Sequence, residues 1–184
     1  MEITDTYFDT DDWRFYRAGY ALRVRNTDGE VEATMKSLTQ AEGSLKRRRE
    51  ISESLEDDRL ATLKKAGGPV GERSRSLVGR REVRPMFRIK TRRKVFALLL
   101  EGSTRGHQGE ARIGEISLDA SEIPLGDEPT RLTRIEVEAE IGKAPTPDLH
   151  SFVDEMQTAL ELAPASTSKY ETGLYASGFT PEGD

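Results

Sequence analysis

The sequence contains no cysteine. Neither a disulfide framework nor a thiolate metal site can therefore be built, and nothing points to an oxidising compartment. Histidine is nearly as scarce, His107 and His150 being the only two, which argues against a multi-histidine zinc centre. Any metal would be held by carboxylates, the donors suited to Mg²⁺, Mn²⁺ or Ca²⁺. No apolar run approaches the roughly 20 residues of a membrane span. The N-terminus has no basic segment followed by an apolar one, so the chain reads as cytoplasmic, with no membrane partner. Positive charge is not in excess either. With 28 Lys and Arg against 33 Asp and Glu, the formal net charge is −5. Bulk electrostatics therefore recommend neither nucleic acid nor an anionic surface as a partner.

What is present is charge arranged in patterns. The 184 residues fit one domain and are enough to bury a core. Charged residues make up 33% and the apolar set 35%. Such polarity could signal disorder, but the apolar residues are regularly spaced, which argues for a fold. It also leaves room for a fold whose interior is itself charged. The organising stretch is 134–141, Arg-Ile-Glu-Val-Glu-Ala-Glu-Ile. It alternates strictly: Glu136, Glu138 and Glu140 share one strand face, and Ile135, Val137, Ala139 and Ile141 the other. Same-face neighbours lie about 6.6–6.8 Å apart, so three carboxylates in a row repel unless water or cations cover them.

Other segments repeat the alternation with different charge. In 20–25, Leu22 and Val24 face one way, Arg23 and Arg25 the other. Asp28-Gly29 predicts a hairpin, and the return strand 31–36 carries Lys36 with Glu32 and Thr34 on its polar face. Around 45–53, Arg48, Glu50 and Ser52 share a face. From Phe87 on, a basic strand sets Phe87, Ile89, Thr91, Arg93 and Val95 against Arg88, Lys90, Arg92 and Lys94. Pro85 predicts an edge or a strand start there. In 111–119, Glu115, Ser117 and Asp119 share a face. Segments 71–79, 101–109 and 120–132 read as connections. Ser54-Leu-Glu-Asp57 resembles a capping box opening a helix to about Ala66, ended by Gly67-Gly68-Pro69. Thr146-Pro147 starts a second helix, with Leu149, Phe152, Val153, Met156 and Leu160 as its packing stripe. Segment 166–170 reads as polar and leads to a short tail.

Taken in order, Tyr7-Phe-Asp-Thr10, then Gly19-x-x-Leu22-Arg23-x-Arg25, Thr34-Met-Lys36 and Arg48-Arg-Glu50 resemble the CYTH family, the triphosphate tunnel metalloenzymes. The resemblance continues through the basic strand, Glu115-x-x-x-Asp119, the glutamate strand and Ser168-Lys169, from about Asp5 to Leu174. It implies an α+β fold, mainly antiparallel β: a barrel whose charged tunnel is flanked by outer helices. Members of the family begin with a Glu-x-Glu-x-Lys strand and a helix, for which there is no room before Tyr7. The expectation is therefore a single domain over 1–184, shortened at its N-terminus. Its barrel would be one strand short, with edges that invite a homodimer.

The implied function is metal-dependent hydrolysis of inorganic triphosphate or a short polyphosphate, making the chain a triphosphatase if the missing strand is dispensable. Alternatives are a degenerate tunnel that binds polyphosphate or nucleotide phosphates without turnover, a thiamine triphosphatase and an adenylyl cyclase. Arginine forks and lysine point charges suit phosphate. The resemblance assigns phosphate contacts to Arg23, Arg25, Lys36, Arg48 and Arg93. Strand alternation leaves open whether Arg93, or Lys90 and Arg92, points inward. Asp119, Glu136 and Glu138, then Glu115 and Glu140, are the expected ligands of Mg²⁺ or Mn²⁺. Glu50 and Lys169 would support catalysis or position water.

Overall fold

The computed structural model describes residues 1–38, 49–104, 107–125, 128–139 and 146–181, with backbone alone at 100–104, 107–111, 139 and 146–148. Along the chain run β1 (Glu2–Thr10), α1 (Arg14–Arg17), β2 (Tyr20–Thr27), β3 (Glu30–Ser37), β4 (Glu50–Leu55), α2 (Leu60–Lys65), α3 (Pro69–Val78), β5 (Val83–Thr104), β6 (His107–Ile123), β7 (Thr130–Ala139), α4 (Thr146–Ala159) and α5 (Lys169–Ala176). The strands form one seven-stranded sheet in the order β4-β3-β2-β1-β5-β6-β7. Its ladders β1–β2, β1–β5, β2–β3 and β3–β4 are antiparallel. The fold is α+β and mainly antiparallel β, as the alternating segments require. Among the described residues β4 and β7 end the strand order unpaired with each other, so that sheet is not closed. No described helix is long and apolar enough to cross a membrane.

The chain divides into two compact units. The first comprises Met1–Arg92, Ser121–Leu132 and Thr167–Asp184; the second comprises Arg93–Ala120 and Thr133–Ser166. In the first unit the Asp-Gly signal makes its hairpin. Thr27 pairs with Glu30, and Asp28 and Gly29 take φ of 52° and 99°, the left-handed values a two-residue turn needs. One face of this unit is apolar. Phe8, Leu22, Val24, Ala33 and Met35 pack there with Phe15 of α1, Leu63 of α2 and Val70 of α3. On the other face Tyr7, Phe87 and Ile89 pack with Tyr170 and Leu174 of α5.

Several local readings need correction. Segments 101–109 and 120–132 are not bare connections, because β5 runs to Thr104, β6 spans His107–Ile123 and β7 begins at Thr130. Ser54 lies in β4, paired with Glu32, and the helix begins only at Leu60; the β3 ladder claims Ser54, the presumed cap, while Asp57 accepts from Arg59 N at 3.0 Å. Segment 71–79 is not a bare connection, because Pro69 opens α3, its missing N–H costing nothing in a first turn. Glu53 of β4 completes that end, its carboxylate accepting from Val70 N at 2.7 Å and Gly71 N at 3.0 Å. Lastly, 166–170 leads into α5. Ser168 accepts from Glu171 N at 3.1 Å and Glu171 accepts from Ser168 N at 2.6 Å, a full capping box. Pro85 lies inside β5, next to a bulge where Tyr7 opposes Phe87 but Phe8 opposes Pro85. The irregular ladder there tolerates a residue without a donor.

The second unit has its own small core. Leu98, Ile113 and Leu149 are buried together, with Ile116, Val137 and Phe152 packed against them. The expected stripe on α4 thus packs through Leu149 and Phe152, whereas Leu160, just past the helix end, is 57% exposed.

Candidate functional site

In the first unit the strand register carries polar side chains across the sheet in rows. Asp5 opposes Arg25, which opposes Glu32, which opposes Ser54. The next row is Tyr7, Arg23, Thr34 and Ser52, and the one after it Ala21, Lys36 and Glu50. Rows on one face are about 6.6–6.8 Å apart, so Arg23, Arg25 and Lys36 form a compact group of cations.

That group is organised around Asp5, whose side chain is 1% exposed. Arg25 donates to it twice, Nε to Oδ1 at 2.7 Å and a terminal nitrogen to Oδ2 at 2.8 Å. Arg23 Nε stands 3.7 Å from Oδ1, an ion pair too long for a hydrogen bond. Burial pushes the Asp5 carboxyl up. The hydrogen bonds from Arg25 and the charges of Arg23, Arg25 and Lys169 outweigh it and hold the carboxyl below its ordinary value. Arg23 itself is 15% exposed at its side chain. Its Nε is buried and has no hydrogen-bond partner among the described residues, and a terminal nitrogen reaches Thr34 Oγ1 at 3.4 Å. Beside it, burial pushes the Tyr7 hydroxyl up to about 12. Lys36 and Glu50 form an ion pair and are each more than a third exposed. Lys169 is the first residue of α5, positioned by the Ser168 cap and close enough to act on Asp5.

The second unit holds a separate cluster. Arg93 donates Nε to Asp119 Oδ1 at 2.8 Å, and a terminal nitrogen to Asp119 Oδ2 at 2.7 Å and to Glu136 Oε2 at 3.1 Å. The three side chains are 10%, 0% and 32% exposed. Two residues before Asp119, Ser117 Oγ is buried and has no hydrogen-bond partner among the described residues. The open question about β5 is answered by burial. Phe87, Ile89 and Thr91 are buried and Arg93 half-buried, while Arg88, Lys90, Arg92 and Lys94 are exposed. Arg92 makes a 3.6 Å ion pair with exposed Glu2. Glu115 is paired with Arg112 at 3.1 Å, and Glu138 is exposed. Arg48 and Glu140 lie outside the described residues.

The donor chemistry bears on a metal. Among the described residues no group of three or more His, Asp or Glu converges. Two carboxylates do converge, Asp119 and Glu136, with the Ser117 hydroxyl next along β6. Mg²⁺ keeps several waters and takes one or two carboxylates plus phosphate oxygens, so the donor types of this pair suit such an ion, which would have to displace Arg93 from both Asp119 oxygens and from Glu136. Asp5 is the residue that sequence reading passed over. Its signal is the alternation Ile3, Asp5, Tyr7, Asp9, which places Asp5 on the face of Arg23 and Arg25.

A family model for the CYTH domain matches residues 1–173. The chain belongs to the CYTH family. Two solved structures are similar in fold. One is a proposed adenylate cyclase from Bacillus halodurans, 20% identical, with a TM-score of 0.59 over 93% of this chain and 81% of that one. The other is a proposed adenylyl cyclase from Hippeastrum with a dominant triphosphatase activity, 15% identical, with a TM-score of 0.64 over 100% of this chain and 86% of that one. At such identities the shared property is the fold. The CYTH motifs fall on it in order: Tyr7-Phe-Asp-Thr10 ends β1, Arg23 and Arg25 lie on β2, Lys36 on β3, Glu50 on β4, Asp119 on β6, Glu136 on β7, and Lys169 opens α5. CYTH proteins bind triphosphate substrates and generally depend on a divalent metal.

Proposed function

We propose that this chain, as one CYTH domain over 1–184, hydrolyses inorganic triphosphate or a short polyphosphate with Mg²⁺ or Mn²⁺. The observation that carries the reading is Arg23, a nearly buried guanidinium whose Nε has no hydrogen-bond partner among the described residues. A buried unsatisfied donor of this kind costs free energy, and a phosphate oxygen would relieve that cost with a charge-assisted bond. Arg25 and Lys36 add positive charge on the same sheet face, and Lys169 adds it from α5. Glu50, the partner of Lys36, offers a carboxylate that can accept a proton from water or orient it. In the second unit, Asp119 and Glu136 would hold the divalent ion; Glu115, paired with Arg112, and exposed Glu138 do not join them. Such an ion, when bound, neutralises phosphate charge and lowers the pKa of water. Arg93 holds those two carboxylates together. Lys90 and Arg92, on the exposed face of β5, take no part in this reading, and Arg48 keeps the role implied by the family.

The test is phosphate release from tripolyphosphate by the purified chain, with Mg²⁺, with Mn²⁺ and with EDTA. Metal-dependent release is expected, falling by on the order of 10²-fold in Glu136→Ala. Folded protein that binds tripolyphosphate but releases nothing with either metal would favour the second reading, a binding module without turnover. The ion pairing of both candidate carboxylates with Arg93 is the observation on that side.

A further inference from the structure

A carboxylate at the centre of a site for a polyanion is at first sight misplaced. Asp5 is almost wholly buried, shares its sheet face with Arg23, Arg25, Lys36, Glu32 and Glu50, and repels any phosphate brought there. A merely tolerated acid would weaken anion binding, and its removal would improve it. The hydrogen bonds suggest another role. Arg25 commits Nε and one terminal nitrogen to Asp5 in a two-point fork, and such a fork fixes direction as well as charge. Arg23, one row along, is drawn to the same carboxylate at 3.7 Å without a hydrogen bond, and its Nε stays uncommitted. The two arginines look equivalent in Leu22-Arg23-Val24-Arg25, but one is braced and the other retains unused donor capacity.

We infer that Asp5 is a positioning residue for phosphate binding, bracing Arg25 through both carboxylate oxygens and steering Arg23 so that Arg23 presents the hydrogen-bonding edge to the ligand. The inference rests on the reading of this face as a phosphate site. It goes beyond that reading by giving the arginines unequal roles and by giving an acid a positive effect on anion binding. Long flexible side chains lose freedom when they bind; a guanidinium already held in direction loses less.

The sign of the effect separates positioning from simple charge. Tripolyphosphate binding is measured by titration calorimetry on the full chain in EDTA, so neither turnover nor metal enters. Wild type, Asp5→Asn, Asp5→Glu, Arg23→Lys and Arg25→Lys are compared, with circular dichroism confirming the fold. Positioning predicts that Asp5→Asn binds at least tenfold more weakly although it removes a negative charge. Asp5→Glu, which keeps the charge but shifts it by one methylene, should also weaken binding. Arg23→Lys should lose more affinity than Arg25→Lys in the wild-type background, and the gap should narrow in the Asp5→Asn background. Unchanged or tighter binding by folded Asp5→Asn would overturn the inference while leaving the phosphate site standing. If Asp5→Asn does not fold, the Asp5→Glu result serves alone: wild-type affinity there overturns the inference. No binding by wild type would instead bring down the functional reading itself.

Discussion

Asp5 and Asp9 sit four residues apart on one face of β1, both 1% exposed, yet their carboxyls shift in opposite directions. Burial raises Asp9, and its partners are neutral amides: Thr10 N at 2.7 Å, Phe15 N at 3.0 Å and Tyr16 N at 3.0 Å. These bonds pull its pKa down without reversing the rise. Burial acts on Asp5 too, but cations override it, and its pKa falls below the ordinary 3.8. The linkage therefore has opposite signs. Asp5 contributes stability that is present above pH 3.8 and is lost as the pH falls through its lowered value. Asp9 contributes stability that is present below pH 3.8 and is lost as the pH rises through its raised value. Removing one partner of a buried pair costs about 3–5 kcal/mol, so Asp5→Asn should lower stability by up to that amount at pH 7. The deficit should shrink as wild type is titrated below pH 3.8. Urea denaturation from pH 7 to pH 3, followed by the fluorescence of Trp13, measures it. A deficit that does not change with pH would show that the lost stability is not ionic.

Helix α5 sets both the packing of the first unit and the position of a charge. Tyr7 stacks on Phe87 at 4.8 Å between ring centroids, and Tyr170 of α5 meets the two at 5.4 and 5.9 Å. Gly173 makes the approach possible, because a Cβ there would lie 2.0 Å from Phe87 Cε2. Gly173→Ala should therefore cost about 1–3 kcal/mol through overpacking, although alanine is the better helix former. Ser168→Ala should cost about 1 kcal/mol through the lost cap. Thermal and urea melts check both, and a stabilised Gly173→Ala would mean that the helix does not need that contact. The Ser168-x-x-Glu171 pattern could have been read as a helix start. The pattern alone shows no helix, because an eight-residue helix is too short to display a stripe. Segment 71–79 hid α3 for a related reason: the side chain that completes its N-terminus, Glu53, comes from β4 and leaves no cap in the local sequence.

For the whole molecule, a ligand that binds only the folded chain adds stability by mass action. Tripolyphosphate at 100 times its dissociation constant should add about 2.7 kcal/mol. A chain of this size gains roughly 2–4 °C per kcal/mol, so a rise in Tm of about 5–10 °C is expected by calorimetry or dye melts. A rise reproduced by sulfate at equal ionic strength would mean general anion binding, and no rise at any concentration would oppose the phosphate reading. The sequence alone determined the strand alternation, the Asp-Gly hairpin, the carboxylate and guanidinium donor set, the absence of thiol chemistry and the ordered CYTH motifs. Each of these is a property of neighbouring residues or of their order along the chain. The tertiary structure decided that Arg93, rather than Lys90 and Arg92, leaves the exposed face of β5, that Asp5 braces Arg25, and that Asp119 and Glu136 converge on Arg93. Alternation with a period of two leaves two faces of a strand formally equivalent, and only packing distinguishes them. Ion pairs between residues 20, 26 and 43 positions apart follow from strand register, which no local spacing encodes.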